Sequence, residues 1–386
     1  MSKNLSKGTT FLMVTDTAMV FKEGKVYAFG PVVRELEVFH ELFGAIEWIG
    51  FNRPDLLNDP VMQPVPDYVK CVLLKRSGGD TFLKKIGVLL QTPVMTWEIL
   101  KRLRGKRVIH TRAPSSPAFI AAVLSFFFQE KIWWHKYAGN WGEEEPPFFY
   151  GLQRWWLSKA VWSKVTINGR WPGQPAHCLS FENPCLDEDE RQEGIKALNK
   201  KCYEGALKVC FVGHLSEAKG ADMLLEALIQ YKGTRIESLH LIGNGPLRQQ
   251  WQQKMESMPF EVHLHGYLDR VQVGQIMAQC HLIILPSKSE GFPKVIAEGA
   301  NYGCIPVVSD ISSIGQYIRH GENGFLLSPK RLEQGKLAED LEHILKIRNL
   351  KPIALEAHSM ATAFTFRHYH DKIKQEILIP AGMSTR

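Results

Sequence analysis

The sequence predicts a two-domain α/β protein built on doubly wound parallel sheets. Three observations carry this reading. Short apolar strands alternate with amphipathic helices of about 10–15 residues, the rhythm of parallel strands covered by helices on both faces. The chain is 386 residues long, which fits two or three domains at roughly 100–200 residues each. Its composition, 45% apolar and 23% charged, is that of a globular chain and excludes disorder, collagen and coiled coil.

In the first half, strands are expected at 10–14, 25–28, 46–49, 71–74 and 107–110, then at 131–134 and 165–167. Residues 82–90 and 118–128 have helical patterning. The second half is more regular. A strand at 207–212 ends in Gly213, and an amphipathic helix follows at 221–231. A strand at 239–242 runs into Gly243-Asn244-Gly245-Pro246 and then a helix through Met255. A strand at 261–264 ends near Gly266, before a helix at 271–280. A strand at 282–286 precedes a helix at 293–302, with Pro293 in its first turn, where the missing N–H costs little. The last strand lies at 306–309. Residues 183–201 are polar and acidic around Pro184 and mark a boundary between domains at 1–185 and 186–360.

The net charge of +7 lies wholly in the first half. Residues 1–185 hold 23 Lys/Arg against 16 Asp/Glu, whereas residues 186–386 hold 24 of each. A dense run of Lys101, Arg102, Arg104, Lys106 and Arg107 sits there. A basic half suits nucleic acid, an anionic membrane face or phosphorylated substrates, while the run alone reads as a solvated helix end. No recognised RNA- or DNA-binding motif is present, so nucleic acid is not an expected partner. The longest apolar run, 117–128, falls short of the ~20 residues of a membrane-spanning helix. Residues 1–10 are polar, and no secretory leader is expected. The seven cysteines are odd in number and include no C-x-x-C. They read as small buried hydrophobes in a reducing, cytoplasmic setting. Without an H-E-x-x-H or Cys/His cluster, no catalytic metal is expected. Asp187-Glu188-Asp189 spells D-x-D, but in a polar segment it reads as solvated charge at a helix start.

Two doubly wound domains leave a cleft, and ligands of such sheets bind beyond the carboxyl ends of the strands. Chemistry is therefore sought in the loops after the strands. The stretch Gly213-His214-Leu215-Ser216-Glu217-Ala218-Lys219-Gly220 joins a strand to a helix. Its glycines allow close backbone approach, the helix N-terminus offers unpaired N–H groups, and Lys219 adds a full charge, a combination suited to a diphosphate. It is not a Walker motif. In Ser287-Lys288-Ser289-Glu290-Gly291-Phe292-Pro293-Lys294-Val295-Ile296-Ala297-Glu298, two carboxylates stand eight residues apart. Glu298 falls within an apolar helical pattern, where a carboxylate needs partners. Gly243-Asn244-Gly245-Pro246 is a weaker signal, because Arg248 stands where a dinucleotide fingerprint has its last glycine. In the basic half, His110, Arg112 and His135 follow strands and are candidates to reach a reacting sugar or phosphate.

These residues carry a resemblance. From Phe211-Val212-Gly213 to Asn323-Gly324-Phe325, the order G-x-L-x-x-x-K-G, G-x-G-x-x, P-S-x-x-E-G-F-P-x-x-x-x-E, G-x-I-P-V-V-x-S and N-G-F-L resembles the retaining glycosyltransferases of family 4. Over the first half the likeness is faint, mainly V-I-H-T-R-A-P. The resemblance implies the GT-B fold: two Rossmann-like doubly wound domains facing across a cleft, with a C-terminal helix in 361–386 crossing back to the first. It implies that Lys219 and position 214 neutralise a diphosphate leaving group, and that Gly213, Gly243 and Asn244 take part in donor binding. Glu298 would bind ribose hydroxyls, and Glu290 with the amides of Gly291, Phe292 and Pro293 would hold the donor sugar. Tyr267 and Leu268 would lie near the base. Catalytic roles are expected for Glu290 and Lys219, and for Arg112 and His135 on the acceptor side. His214 stands where the family usually has Arg, and Ser312-Ser313-Ile314 stands where a Gly-Gly pair is frequent.

The implied reaction is metal-independent transfer from a UDP-, GDP- or ADP-linked sugar, used as co-substrate without a further cofactor. The acceptor is a saccharide or lipid-linked saccharide, in surface polysaccharide or glycolipid synthesis, with peripheral contact to an anionic inner membrane face. The same architecture serves sugar-nucleotide 2-epimerases, sugar phosphorylases and non-catalytic nucleotide-sugar binders, which remain the alternatives.

Overall fold

The computed structural model describes residues 3–4, 11–76 and 82–384, excepting the side chains of 3, 4, 82–86, 89 and 384. The polar opening residues other than Lys3 and Asn4, and with them Thr10, lie outside the described residues. The chain divides into two compact units, Met1–Glu182 with Tyr369–Arg386, and Asn183–His368. The boundaries therefore fall at 182/183 and 368/369 rather than at 185/186 and 360/361. Residues 361–368 stay in the second unit because the Phe364 carbonyl accepts the Cys185 and Leu186 amides there.

The first unit is built on a nine-stranded sheet. Its strands are β1 (Phe11–Lys22), β2 (Lys25–Phe29), β3 (Ile46–Asn52), β4 (Met62–Pro64), β5 (Val69–Lys75), β6 (Val108–Ala113), β7 (Ile132–Tyr137), β8 (Lys164–Ile167) and β9 (Cys178–Ser180). The parallel part runs β5-β3-β1-β6-β7-β8-β9. The second half of β1 does something the sequence reading missed. Met19–Lys22 pairs antiparallel with β2, and β2 in turn with the edge strand β4. The intervening Glu23 and Gly24 both have positive φ, +50° and +80°. That is the two-residue turn whose twist matches a hairpin.

One face of this sheet is covered by the helices Phe82–Leu103, Ser116–Leu124 and Phe148–Lys159, over a core that includes Leu12, Val14, Ile109, Trp133 and Val165. The other carries the helix Leu36–Phe43, whose Phe43 stacks on Phe11 at 4.4 Å, and Tyr369, 6.2 Å from Trp134. The helix predicted at 82–90 continues through Pro93 to Leu103. Beside the proline, the Thr92 hydroxyl donates to the Val88 carbonyl and Thr96 to that of Thr92. The basic run at its end is partly tied down, since Arg102 and Lys106 both pair with Glu47.

The second unit holds a six-stranded, wholly parallel sheet: β10 (Leu207–Val212), β11 (Ile236–Ile242), β12 (Glu261–Gly266), β13 (Leu282–Leu285), β14 (Ile305–Ser309) and β15 (Phe325–Leu327). The order is β12-β11-β10-β13-β14-β15, so the direction of winding reverses between β10 and β13. Asp187, the first letter of the D-x-D, caps the helix Glu188–Lys200 in a reciprocal pair with Glu190. Five of the seven cysteines are buried; Cys202 is exposed and Cys71 intermediate, and all are free thiols.

The strands of the first unit extend further than predicted, and this buries two histidines. His110 and His135 lie within β6 and β7 and are 0% exposed. Burial holds His110 well below its ordinary 6.5, helped by the cations of Arg112 and Lys136, and draws His135 down to about 3. Both rings are neutral in the fold, whereas the unfolded chain binds protons near pH 6.5. Their contribution to stability is therefore complete above pH 6.5 and is lost as pH falls toward 3. Chemical denaturation between pH 8 and pH 4, roughly spanning that window, is expected to show falling stability of the first unit. His135→Gln should flatten the slope.

Candidate functional site

The reversal of winding in the second sheet is where an open parallel sheet presents its ligand crevice. The loops after β10, β11, β12 and β13 carry every site residue predicted for this unit except Glu298. Their backbones interlock. The Gly213 amide donates to the Ile242 carbonyl at 2.9 Å, and the Gly243 amide to the Gly266 carbonyl at 2.7 Å. Leu215 N–H donates to Asn244 O at 2.9 Å, and Lys288 N–H to Ala218 O at 2.9 Å. The sequence suggests that glycines here admit a ligand, but several instead admit another loop. A Cβ on Gly220 would lie 2.0 Å from the Pro286 carbonyl oxygen, one on Gly243 2.0 Å from that of Gly213, and one on Gly245 2.4 Å from that of Leu215.

Lys219 lies in a single 3-10 turn, Glu217–Lys219, and Gly220 at φ +69° swings the chain into the helix Ala221–Gln230. Contact between Gly220 and Pro286 brings the two loops together, and the Lys219 ammonium pairs directly with the Glu290 carboxylate. Partial burial draws the Lys219 pKa below its ordinary 10.5. Beside this pair, Lys288 reaches Asp222 at 3.2 Å. His214 is exposed at the head of the same loop, Tyr267 is exposed, and Leu268 is half-buried.

In the acidic motif the amide expected of Pro293 needs correction, and the surroundings of Phe292 and Glu298 are now defined. The Phe292 ring is core, stacked on Phe364 at 4.6 Å and edge-on to Tyr317 at 4.9 Å, so only its backbone is left for a ligand. Pro293 has no N–H to offer and instead precedes the helix Lys294–Asn301 as its N-cap residue. Glu298 already has a partner, since Arg270 Nη1 donates to its Oε1 at 2.6 Å. The Ser313 hydroxyl donates to the Gly291 carbonyl at 3.4 Å and ties the loop after β14 to this motif.

Arg270 is the residue that sequence reasoning missed. It opens the helix Arg270–Met277, and its three guanidinium nitrogens bind Glu190, Glu298 and the Cys185 carbonyl. Burial alone would lower its pKa, but the facing Glu298 and Glu190 carboxylates more than offset this and raise it. The available signal was Glu298 in an apolar helical pattern, a carboxylate that required a cation, with Arg270 at the start of the preceding helix. Ser312 was visible as a departure from the family pattern. It adopts φ +51°, a left-handed conformation that favours glycine. The Ser287 and Ser309 hydroxyls, at the ends of β13 and β14, are buried without a hydrogen-bond partner among the described residues.

In the first unit the expected acceptor-side residues are not displayed on the surface. Arg112 donates to Glu35 at 2.5 Å, and Lys136 stands 3.4 Å from the same carboxylate, which is completely buried. His135 is enclosed, its Nδ1 2.8 Å from the Thr111 hydroxyl. The physical reason is strand length. The sequence placed strand ends at His110 and Trp134, but β6 and β7 pair in register through Ala113 and Tyr137. Residues read as loop thus become rungs of a sheet covered on both faces. A catalytic role for His135 has no exposed imidazole to support it, and Arg112 enters one only by loosening its hold on Glu35.

Arg270→Ala is expected to leave Glu190 and Glu298 facing one another without their cation. Breaking a buried pair costs about 3–5 kcal/mol, and partial exposure of Arg270 reduces this to about 1–3 kcal/mol. A thermal melt of the full chain checks it, and Arg270→Lys should restore only part, because an ammonium lacks the guanidinium fork.

Comparison with known proteins bears on the fold and on the second unit. Residues 196–356 match the family model described as Glycosyl transferases group 1. An uncharacterized glycosyltransferase of Methanocaldococcus jannaschii is 27% identical over 188 residues, 44% of this chain and 51% of its own length. Granule-bound starch synthase 1 of Pisum sativum is 26% identical over 125 residues, 32% of this chain and 21% of its own. The match thus spans about half, or less, of the length of these curated relatives. Among solved structures, HepE of Anabaena in complex with UDP superposes with a TM-score of 0.65 at 16% identity, covering 95% of this chain and 98% of HepE. Sucrose-phosphate synthase of Thermosynechococcus elongatus gives 0.63 at 15% identity, covering 95% and 97%. At such identity the likeness establishes the fold: the chain has the two-domain α/β architecture with parallel sheets, GT-B, that these structures share.

Proposed function

We propose that this chain is a retaining glycosyltransferase that moves a sugar from a nucleotide-sugar donor to a saccharide or lipid-linked saccharide. The observation that carries the reading is the Lys219–Glu290 pair at the winding reversal of the second sheet. It sets a cation beside a carboxylate where such sheets bind nucleotides. The group 1 family match over 196–356 covers the same loops, and HepE, a structural neighbour, has been seen with UDP and with UDP-glucose.

Glycosyl transfer asks the protein to stabilise a departing diphosphate and to hold the acceptor hydroxyl in line. In the proposed mechanism Lys219, with the Gly291 and Phe292 amides, receives the leaving-group charge, and His214 adds a hydrogen-bond donor beside them. Glu290 orients the donor sugar and, in the absence of ligand, keeps the ammonium in place. Glu298, held by Arg270, offers its carboxylate to the ribose hydroxyls. The proposal assigns none of these side chains as a nucleophile. The proposed route is therefore front-face transfer, in which the departing phosphate accepts the acceptor proton and configuration is retained. The proposal assigns charge neutralisation to Lys219 and the amides and so calls on no metal ion. A UDP-, GDP- or ADP-linked donor, a role in surface polysaccharide or glycolipid synthesis, and a cytoplasmic setting complete it.

Lys219→Ala is expected to lower turnover by about 10²–10³-fold, the order seen when one charge-stabilising group is removed, with the fold intact by circular dichroism and the melt lowered only modestly by the loss of the partner of Glu290. Turnover close to that of the unaltered chain overturns the role. A thermal-shift screen against UDP-, GDP- and ADP-sugars identifies the donor by mass action. NMR of a donor-only incubation separates transfer from epimerisation.

A further inference from the structure

The helix Phe82–Leu103 has two apolar faces. One, with Met95, Ile99 and Leu103, is packed in the core of the first unit. The other points to solvent and carries Leu90, Val94 and Trp97, each more than half exposed and spaced as one helical stripe. The stripe continues into the exposed cations Lys101 and Arg104. The neighbouring helices Ser116–Leu124 and Phe148–Lys159 cover the same face of the sheet. Just past the first of them, Phe126 and Phe127 begin a line of rings. Centroid separations are 5.3 Å from Phe127 to Phe126, 5.2 Å on to Trp162, 6.4 Å to Trp156 and 6.4 Å to Trp155. Phe127 is 69% exposed and Trp155 55%. Lys159 is exposed one helical turn beyond Trp155.

Exposed Phe126, Phe127 and Trp155, joined through the half-buried Trp162 and Trp156, mark a surface that something else covers. Charge tells what. The acids within the layer are taken up locally, Glu98 by Arg102 and Glu130 by Lys131. Glu143, Glu144 and Glu145 precede the opposite end of the helix that ends in Lys159, about 18 Å away at 1.5 Å per residue. Lys101, Arg104 and Lys159 are left to set the sign beside the aromatics. Aromatic rings flanked by Lys and Arg are the composition of a bilayer interface with anionic lipid. Among the described residues no helix is long and apolar enough to cross a membrane.

We infer that the outer face of this three-helix layer docks on an anionic lipid bilayer. The rings enter the headgroup boundary, and the cations meet the lipid phosphates. This deepens the proposed function by naming the surface on which a lipid-linked acceptor is met. It is tested without donor or turnover, so its failure and that of the transfer reading are distinguishable.

The experiment is flotation of the full chain with phosphatidylglycerol/phosphatidylcholine vesicles and with phosphatidylcholine alone, at low and high salt. Binding to the anionic vesicles, weakened by salt as charge screening demands, is expected. The triple variant Trp97→Ser, Phe127→Ser, Trp155→Ser should lose about tenfold or more of the bound fraction. Its melt should be unchanged, because all three side chains lie outside the core. A second variant, Lys101→Glu with Arg104→Glu, should abolish the preference for anionic lipid. The inference is overturned if the unaltered chain stays with the soluble fraction, or if the triple variant floats as well as it does. It is overturned equally if sedimentation shows a dimer that the triple variant dissolves, for then a second copy covers the face.

Discussion

Backbone touching backbone at the strand ends of the second sheet is the constraint on which the site depends. Gly220 meets the Pro286 carbonyl, Gly243 meets that of Gly213, and Gly245 meets that of Leu215, each closer than any side chain permits. The parallel sheet puts these loops on one edge, and the glycines let them mesh. Lys219 immediately precedes Gly220, and Glu290 follows four residues after Pro286, on the two sides of one contact. Their ion pair results from how closely the loops seat. The chemistry of the cation is inherited from packing that involves no charge at all.

Charge then stiffens what the glycines bring together. Arg270 joins Glu190, Glu298 and the Cys185 carbonyl, so one guanidinium ties three separate pieces of the second unit. Glu35 does the reverse in the first unit, a single buried carboxylate holding Arg112 and Lys136 on adjacent strands. Both arrangements obey one rule: an ion withdrawn from water persists only where its partners are fixed beforehand. They also bound what those side chains do. Glu298 meets a ligand from an anchored position, whereas Arg112 is committed to holding strand and helix together.

The second unit was largely legible in the sequence and the first only in part. Strand 207–212 and helix 221–231 have clean periodicity and glycine stops, and the structure places them at Leu207–Val212 and Ala221–Gln230. In the first unit the apolar pattern stops short of the true strand ends. β6 and β7 are buried on both faces, so polar residues such as His110, Thr111 and His135 occur inside them, where alternation gives no warning. The Glu23-Gly24 turn was a local signal that went unread. The helix Phe148–Lys159 was hidden by its own exposed aromatics, which imitate a buried segment. In the site itself, residue types and spacing pointed to the right loops. Which carboxylate faces which cation is decided by contacts between distant strands, and no local pattern records that.

The hairpin edge of the first sheet has a consequence of its own. β4 is its outermost strand on that side, and it is three residues long and closes on Pro64. A proline has no N–H for an incoming strand, and so short a segment offers few donors in any case. Ladder growth by a neighbouring molecule is blocked at that margin. For a protein with so much aromatic surface, one margin of the sheet is thereby closed to strand addition, a route by which chains join edge to edge into fibrils.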